Sequence, residues 1–383
     1  MKIFKDKKIF SSNIGRTIIS LLMGFFIGAL ILAVAGYNPL EAYKVMFLGV
    51  FNKPKYIVQT IINSTPIIFT GISIAFAYKT GLFNIGAEGQ FIIGSITAAI
   101  LGYLLHLPHL IHVFLIIVVA GLAAGIWGGI AGFLKAKFDI NEVITTIMLN
   151  WVAFYSLNYI VQLDSLKKPN AEATYDIQQS ASIIILEVWK KSKEGINWLN
   201  EHLFFKDIFK TRMNWGILIA ILIAVIASYI IRKTVLGYEL RSVGHNQQAA
   251  EYGGINVSKS LVSSMMIAGG IAGIAGAIQV MGISHRISTL SVMEGYGFNG
   301  IAVGLIAGGS PIGCIFAGLL FSALNYGGGK VQYILGAPTE IIDIMVGVIL
   351  LFVAVPKLIA LFPRLASIFS FTKGKMGGED NVD

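Results

Sequence analysis

The 383 residues include one cysteine, nine prolines and six histidines, and only 13% of them are charged. A lone cysteine, Cys314, excludes an internal disulfide, and its apolar surroundings make it a packing residue. The scarcity of charge excludes an ordinary soluble domain, in which about a quarter of residues are charged. A G-x-x-x-x-G-K-[ST] phosphate loop is also missing. Gly327-Gly328-Gly329-Lys330 is followed by Val331 and lacks the first glycine at the required spacing, so ATP is not bound through that motif. His106, His109 and His112 recur every third residue, but Pro108 spoils a common helix face and no metal site is expected. Neither a Ser/His/Asp nor a Cys/His constellation stands out, so catalytic residues and cofactors are not expected. The net charge of +9 comes without a basic patch interleaved with aromatics, which argues against nucleic acid.

What is abundant is apolar sequence, 55% of the chain, and glycine, 43 residues. The apolar residues fall in blocks of about 18–24, the span of a bilayer. They lie near 17–36, 57–78, 88–105, 110–134, 142–163, 214–231, 259–283, 297–326 and 339–361. The expected fold is an all-α polytopic bundle of about 8–10 spans, embedded in membrane lipid. The 297–326 block is interrupted at Gly308-Gly309-Ser310-Pro311, either as two short spans or as two re-entrant half-helices. Both choices keep the two termini on one side. Lys2, Lys5, Lys7, Lys8 and Arg16 precede an apolar run too long for a signal peptide, so residues 1–16 lead into a retained first helix.

Placing both termini in the cytoplasm puts Lys135, Lys137, Arg232, Lys233, Arg241, Lys259, Lys357, Arg364, Lys373 and Lys375 there as well, as the positive-inside tendency favours. The expected organisation is a cytoplasmic segment 1–16, a membrane domain 17–362 and a cytoplasmic tail 363–383. Within the membrane domain, 164–213 is a long outer loop and 232–258 a cytoplasmic one. Glu340 and Asp343, near the outer end of the last span, are candidates for ion pairing.

Three runs place small residues at every fourth position: Gly121-Gly125-Gly129, Gly269-Gly273-Ala277 and Gly300-Gly304-Gly308. Each is a ridge against which a neighbouring backbone can pack closely. Polar residues inside apolar blocks carry more functional information. Asn84, Glu88 and Gln90 stand among Gly81, Gly86, Gly89 and Gly94, a composition suited to a broken helix lining a cavity, or to a surface loop. Phe83-Asn84-Ile85-Gly86 and Phe298-Asn299-Gly300 form a short possible internal repeat. Glu142, Thr146, Asn150, Asn158 and Gln162 follow one winding i+4 row, either a polar path or interhelical glue.

Gly237–Val257, GYELRSVGHNQQAAEYGGINV, reads as a polar loop between apolar segments. Asn246 can cap a short helix over Gln247–Tyr252, which Gly253 and Gly254 stop. So short a helix needs external support, and Ala249 and Ala250 leave room for a second protein's surface. An ordinary capped loop is the alternative.

GLFNIGAEGQFIIGS, NEVITTIMLNW at Asn141–Trp151 and GYELRSVGHNQQAAEYGGINV together resemble the permease family of ATP-binding-cassette importers for nucleosides and simple sugars. The resemblance runs from about Ile57 to Pro356, and the spacing of Asn84, Glu88, Gly89 and Gln90 is most similar to the nucleoside branch. It implies a subunit of the bacterial plasma membrane, itself not an enzyme, with three partners: a second permease, a cytoplasmic ATPase and an extracytoplasmic substrate-binding lipoprotein. It also implies that Glu239, Arg241, Gly244, Asn246, Ala249, Ala250 and Gly254 form the ATPase-coupling region. Asn84, Glu88, Gln90, Glu142, Thr146, Asn150 and Asn299 become the candidate substrate pathway. The outer loop at 164–213 is longer than is usual in the family. A simple-sugar importer and an ion-coupled secondary transporter are the competing expectations.

Overall fold

The computed structural model describes residues 13–355. The terminal segments expected at 1–16 and 363–383 fall outside that range, except for Asn13–Arg16, where the first helix already runs. The elements in chain order are α1 Asn13–Val34, α2 Pro39–Phe51, α3 Pro54–Tyr78, α4 Ala87–Leu104, α5 His109–Phe138, α6 Glu142–Val161, α7 Lys193–Glu201, α8 Leu203–Phe209, α9 Gly216–Lys233, α10 Val235–His245, α11 Gln247–Tyr252, α12 Val257–Gln279, α13 Tyr296–Ile306, α14 Pro311–Leu335 and α15 Thr339–Ala354. A π-helical turn, Val280–Ser284, extends α12. Among the described residues, β structure is limited to isolated bridges. Among the described residues, seven helices are long and apolar enough to cross a bilayer, or up to eight if α1 and α2, bent by 119°, count as one span. The expected polytopic helical bundle is what forms.

The chain divides into two compact units, Met1–Met46 with Gly327–Asp383, and Phe47–Tyr326. In the smaller unit α1 packs against α15, and the absence of a side chain at Gly24 admits the backbone of Ile349. The Tyr43 hydroxyl donates to Phe25 O at 2.6 Å, tying α2 to α1.

The larger unit is built around α12, which packs against α5, α4 and α3. The glycine ridges explain how one helix can meet three others. A Cβ at Gly94 of α4 would collide with the backbone of Gly273, and one at Gly128 of α5 would lie 2.6 Å from Met265 O. Gly269 faces the backbone of Ala124 and Gly128, and Gly276 faces the backbone of Phe91 and Ser95, so the missing side chains bring the backbones together. Gly300 and Gly304 do the same for α13 against α3, meeting Thr70 and Ile74.

The break in the 297–326 block is unequal. Instead of two short spans or two half-helices, it gives an 11-residue α13 and a 25-residue, membrane-length α14, with Gly308 at φ +60 and Gly309 at φ +67 between them. The polar stretch read as a loop from Gly237 begins as the helix α10, whose N-cap Thr234 accepts from Gly237 N at 3.1 Å. Its apolar residues Leu240 and Val243 are buried three apart, a helical spacing that the surrounding polar residues masked. The segment 164–213 carries α7 and α8 and is laid over residues 281–289. Ile177 N donates to His285 O at 2.8 Å, Thr174 N to Ile287 O at 2.9 Å and Ile183 N to Met281 O at 3.2 Å.

Candidate functional site

The glycine-rich segment 81–86 connects α3 to α4, and its polar side chains bond to one another. Asn84 and Gln90 exchange two amide hydrogen bonds, Asn84 Nδ2 to Gln90 Oε1 at 2.9 Å and Gln90 Nε2 to Asn84 Oδ1 at 3.1 Å. Asn84 Oδ1 also accepts from Gly86 N at 3.1 Å. Asn150 reaches over from α6, accepting from Gly89 N at 2.8 Å and donating to Ile85 O at 3.0 Å. Gly86 and Gly89 carry no side chain because Thr146 and Asn150 occupy the space where a Cβ would go. The result is a buried polar frame of Asn84, Gln90, Thr146 and Asn150, each at most 1% exposed, in which the amides meet their hydrogen-bonding demand within the protein, as buried polar groups require.

Glu88 extends this frame to α13. Its carboxylate is fully buried and accepts from Gly295 N at 2.8 Å and Gly297 N at 2.5 Å, at the start of the short helix. Glu88 itself lies in the first turn of α4. Two helix N-termini, each with positive partial charge, therefore meet at one acidic side chain. Gly297 has to be glycine-sized here, since a Cβ would strike the backbone of Ala87 and Glu88. Asn299 lies partly buried in the first turn of α13, close to this junction. Glu142 stands apart at the start of α6, with Lys135 Nζ at 3.8 Å. Further along the same row, Asn158 clamps Leu290, donating to its O at 3.1 Å and accepting from its N at 2.8 Å. Gln162 accepts from Lys167 at 2.5 Å.

Beside the frame is a cavity of about 100 Å³ that the sequence did not reveal. Its deep wall is made by Phe91 and Ser95 of α4 and Gln279 at the end of α12, and Glu294 and Arg286 stand at its mouth. The sequence did hold one usable signal: Gln279 is the only amide in the apolar, glycine-rich run 259–283.

The second candidate region is the helix pair α10 and α11. Asn246 Oδ1 accepts from Ala249 N at 3.0 Å, Gly253 follows the last turn and Gly254 takes φ +82, so the expected cap and stop both form. One detail differs from expectation. Ala250 does not face outward but is 5% exposed, set in a cluster with Leu82, Val243 and Met265. Support for so short a helix thus comes partly from its own chain, while Gln247, Gln248, Ala249, Glu251 and Tyr252 remain exposed. Gly244 of α10 abuts the backbone of Lys79 and Gly81, and Glu239 and Arg241 are partly buried. Of the three histidines near Pro108, His112 is buried, with Nδ1 2.8 Å from Ser180 Oγ and Nε2 3.2 Å from Leu101 O, and His109 Nδ1 lies 3.0 Å from Ser180 O.

Membrane-length helices packed through glycine, a half-length helix capped inside the bundle and a cavity of mixed polar and apolar lining beside it define the class, a polytopic membrane permease. Residues 56–354 match the family described as branched-chain amino acid transport system / permease component, and the chain belongs to that family. It is 37% identical over 337 residues to the guanosine ABC transporter permease protein NupP of Bacillus subtilis, covering 88% of this chain and 92% of the relative. It is 33% identical over 368 residues to the nucleoside ABC transporter permease protein NupB of Lactococcus lactis, covering 94% and 96%. It is also 28% identical over 266 residues to the guanosine ABC transporter permease protein NupQ of Bacillus subtilis, covering 68% and 78%. No solved structure matches the chain. The chain is thus an integral membrane permease component of an ABC transporter.

Proposed function

We propose that this chain is the permease subunit through which an ABC importer moves nucleosides inward by alternating access. The observation that carries the reading is its likeness, across nearly its whole length, to permeases named for guanosine and for nucleosides. ATP is hydrolysed on a separate cytoplasmic chain, a second permease completes the pathway and an extracytoplasmic lipoprotein delivers the substrate. The likeness to both NupP and NupQ of one organism supports a paired permease. Both termini face the cytoplasm, which puts Lys135, Lys137, Arg232 and Lys233, in the last turns of α5 and α9, on the inner side.

In this reading α11 is the coupling helix. Ala250 and Gly244 seat α10 and α11 on the membrane body, Asn246 and Gly254 fix the ends of the short helix, and Ala249 with its exposed neighbours presents the docking face. Glu239 and Arg241 brace α10. Movement of the ATPases is passed through α10 to the α3–α4 connection, which Gly244 touches. Asn84, Glu88, Gln90, Thr146 and Asn150 form the frame beside the pathway, with Asn299 at the start of α13 and Glu142 at the inner end of α6.

Proteoliposomes holding the complex, with binding protein outside and ATP inside, provide the test. Guanosine uptake that requires ATP, with ribose ignored, is the expected result. Uptake of ribose alone would overturn the substrate class. Uptake indifferent to ATP and abolished by an ionophore would return the chain to ion-coupled transport. Deleting Gln247–Tyr252 should abolish ATPase co-purification, and a deletion that left co-purification and transport intact would remove α11 from the coupling role.

A further inference from the structure

The cavity beside the buried frame is unusual in its polar accounting. Gln279 is 8% exposed and lines it, yet Gln279 Oε1 has no hydrogen-bond partner. The nitrogen of the same amide is engaged, with Nε2 donating to the Tyr296 hydroxyl at 3.3 Å. An unmet buried acceptor costs about 1–3 kcal/mol, and nearly every other buried amide in this region is satisfied within the protein. The cost is understandable if the acceptor is kept for a ligand that arrives from outside.

The surroundings indicate the kind of ligand. Phe91 is fully buried and lies 5.0 Å from Tyr296, centroid to centroid, giving the deep end an aromatic side. Ser95, also on the deep wall, is 5% exposed. At about 100 Å³ the cavity is well below the roughly 300 Å³ at which pockets enclose a whole drug-sized ligand. It suits a flat ring that leaves the rest of its molecule outside. At the mouth the exposed groups are the Glu294 carboxyl group, whose oxygens suit hydroxyl pairs, and the Arg286 guanidinium. An aromatic, amide-bearing floor beneath a carboxyl-bearing rim matches a molecule with a heterocycle at one end and hydroxyls at the other.

We infer that this cavity is a nucleobase subsite of the transport pathway, in which Gln279 Oε1 accepts an N–H of the base and Glu294 accepts from the ribose hydroxyls. The inference rests on the nucleoside reading and adds the residues that recognise each half of the substrate. Neither residue belongs to the polar frame, and both lie where the chain enters and leaves the segment 280–295. The outer segment 164–213 clamps that stretch through Ile177, Thr174 and Ile183.

The test uses the complete complex, purified through a tag on this chain, in proteoliposomes with one preparation of binding protein throughout. Initial uptake of labelled guanosine, adenosine, cytidine and uridine is measured at limiting concentration, together with guanosine against 2′,3′-dideoxyguanosine. Wild type should take up at least one of the four. Gln279→Met, nearly equal in volume, should lower that uptake about tenfold through a raised KM, with ATPase co-purification unchanged. Glu294→Ala, on an exposed side chain, should narrow the preference for the nucleoside over its dideoxy analogue severalfold. The binding protein's own preference cancels when the two ratios are compared. Uptake by Gln279→Met within twofold of wild type would overturn the subsite while leaving the nucleoside reading intact. An unchanged preference in Glu294→Ala would overturn it equally, even if Gln279→Met failed to assemble. If wild type ignored all four nucleosides, the subsite would fall together with the reading beneath it.

Discussion

Glu88 shows how one side chain can make a broken helix tolerable inside a bundle. A helix that starts within protein leaves backbone N–H groups without partners, and here two of them, on Gly295 and Gly297, point at the Glu88 carboxylate. Glu88→Ala removes both acceptors at once and should cost about 3 kcal/mol, read as a Tm lowered by several degrees in detergent. Glu88→Gln keeps one acceptor and should lose less. Asn150 is a comparable case. Its amide satisfies Gly89 N and Ile85 O, so Asn150→Leu strands a buried donor and a buried acceptor, at about 2 kcal/mol or more. Thermal unfolding should show that loss before any transport assay does, and an unchanged Tm would contradict the frame described above.

At the scale of elements, the glycines separate into those that a neighbour requires and those that none does. Gly94 faces the backbone of Gly273, whereas Gly329 in α14 is exposed with open space beside it. Gly94→Val should drive α4 off α12, with a cost above about 3 kcal/mol and poor yield of folded protein. Gly329→Ala should instead stabilise by about 0.5–1 kcal/mol, because alanine restricts the unfolded chain and suits a helix. Equal yields and Tm values for the two variants would mean that the α4–α12 contact is wrongly drawn. The short helix α11 depends on its cap. Asn246→Ala should weaken it by about 1 kcal/mol, measurable as reduced co-purification of the ATPase.

For the whole molecule the proposed orientation puts α7 outside and α11 in the cytoplasm. Cys314 is buried, so Cys314→Ala provides a quiet background for single cysteines. In that background, Lys193→Cys on α7 should react with a membrane-impermeant maleimide in intact cells. Tyr252→Cys, at a position 96% exposed, should react only in inverted vesicles. The reverse pattern would invert the topology.

Much of this architecture was already readable from the residues. A bilayer imposes a length and an apolar composition on each span, so the blocks near 57–78, 88–105, 142–163 and 259–283 mark α3, α4, α6 and α12 to within a few residues. The cap at Asn246 and the stop at Gly254 were equally legible, because both are local chemistry. Helices whose sequence is mixed were hidden: α10 among charges, α7 and α8 in a stretch read as loop, and α2 just ahead of α3. What one residue does with another far along the chain was not legible at all. The row of polar residues on α6 showed that something must be satisfied there, but not that Asn150 would meet Ile85 and Gly89 or that Asn158 would clamp Leu290. Sequence alone determined the membrane class, most of the spans, two of the three close-packing ridges in full and the capped helix, since each depends on composition or on neighbours a few residues apart. Gly308, by contrast, falls in the break after α13 and not on its ridge. Only the tertiary structure decided that Ala250 turns inward, that Glu88 caps a helix more than two hundred residues away and that Gln279 is left with an open acceptor. Those outcomes depend on which backbones the glycine ridges allow to meet, and no local pattern encodes that.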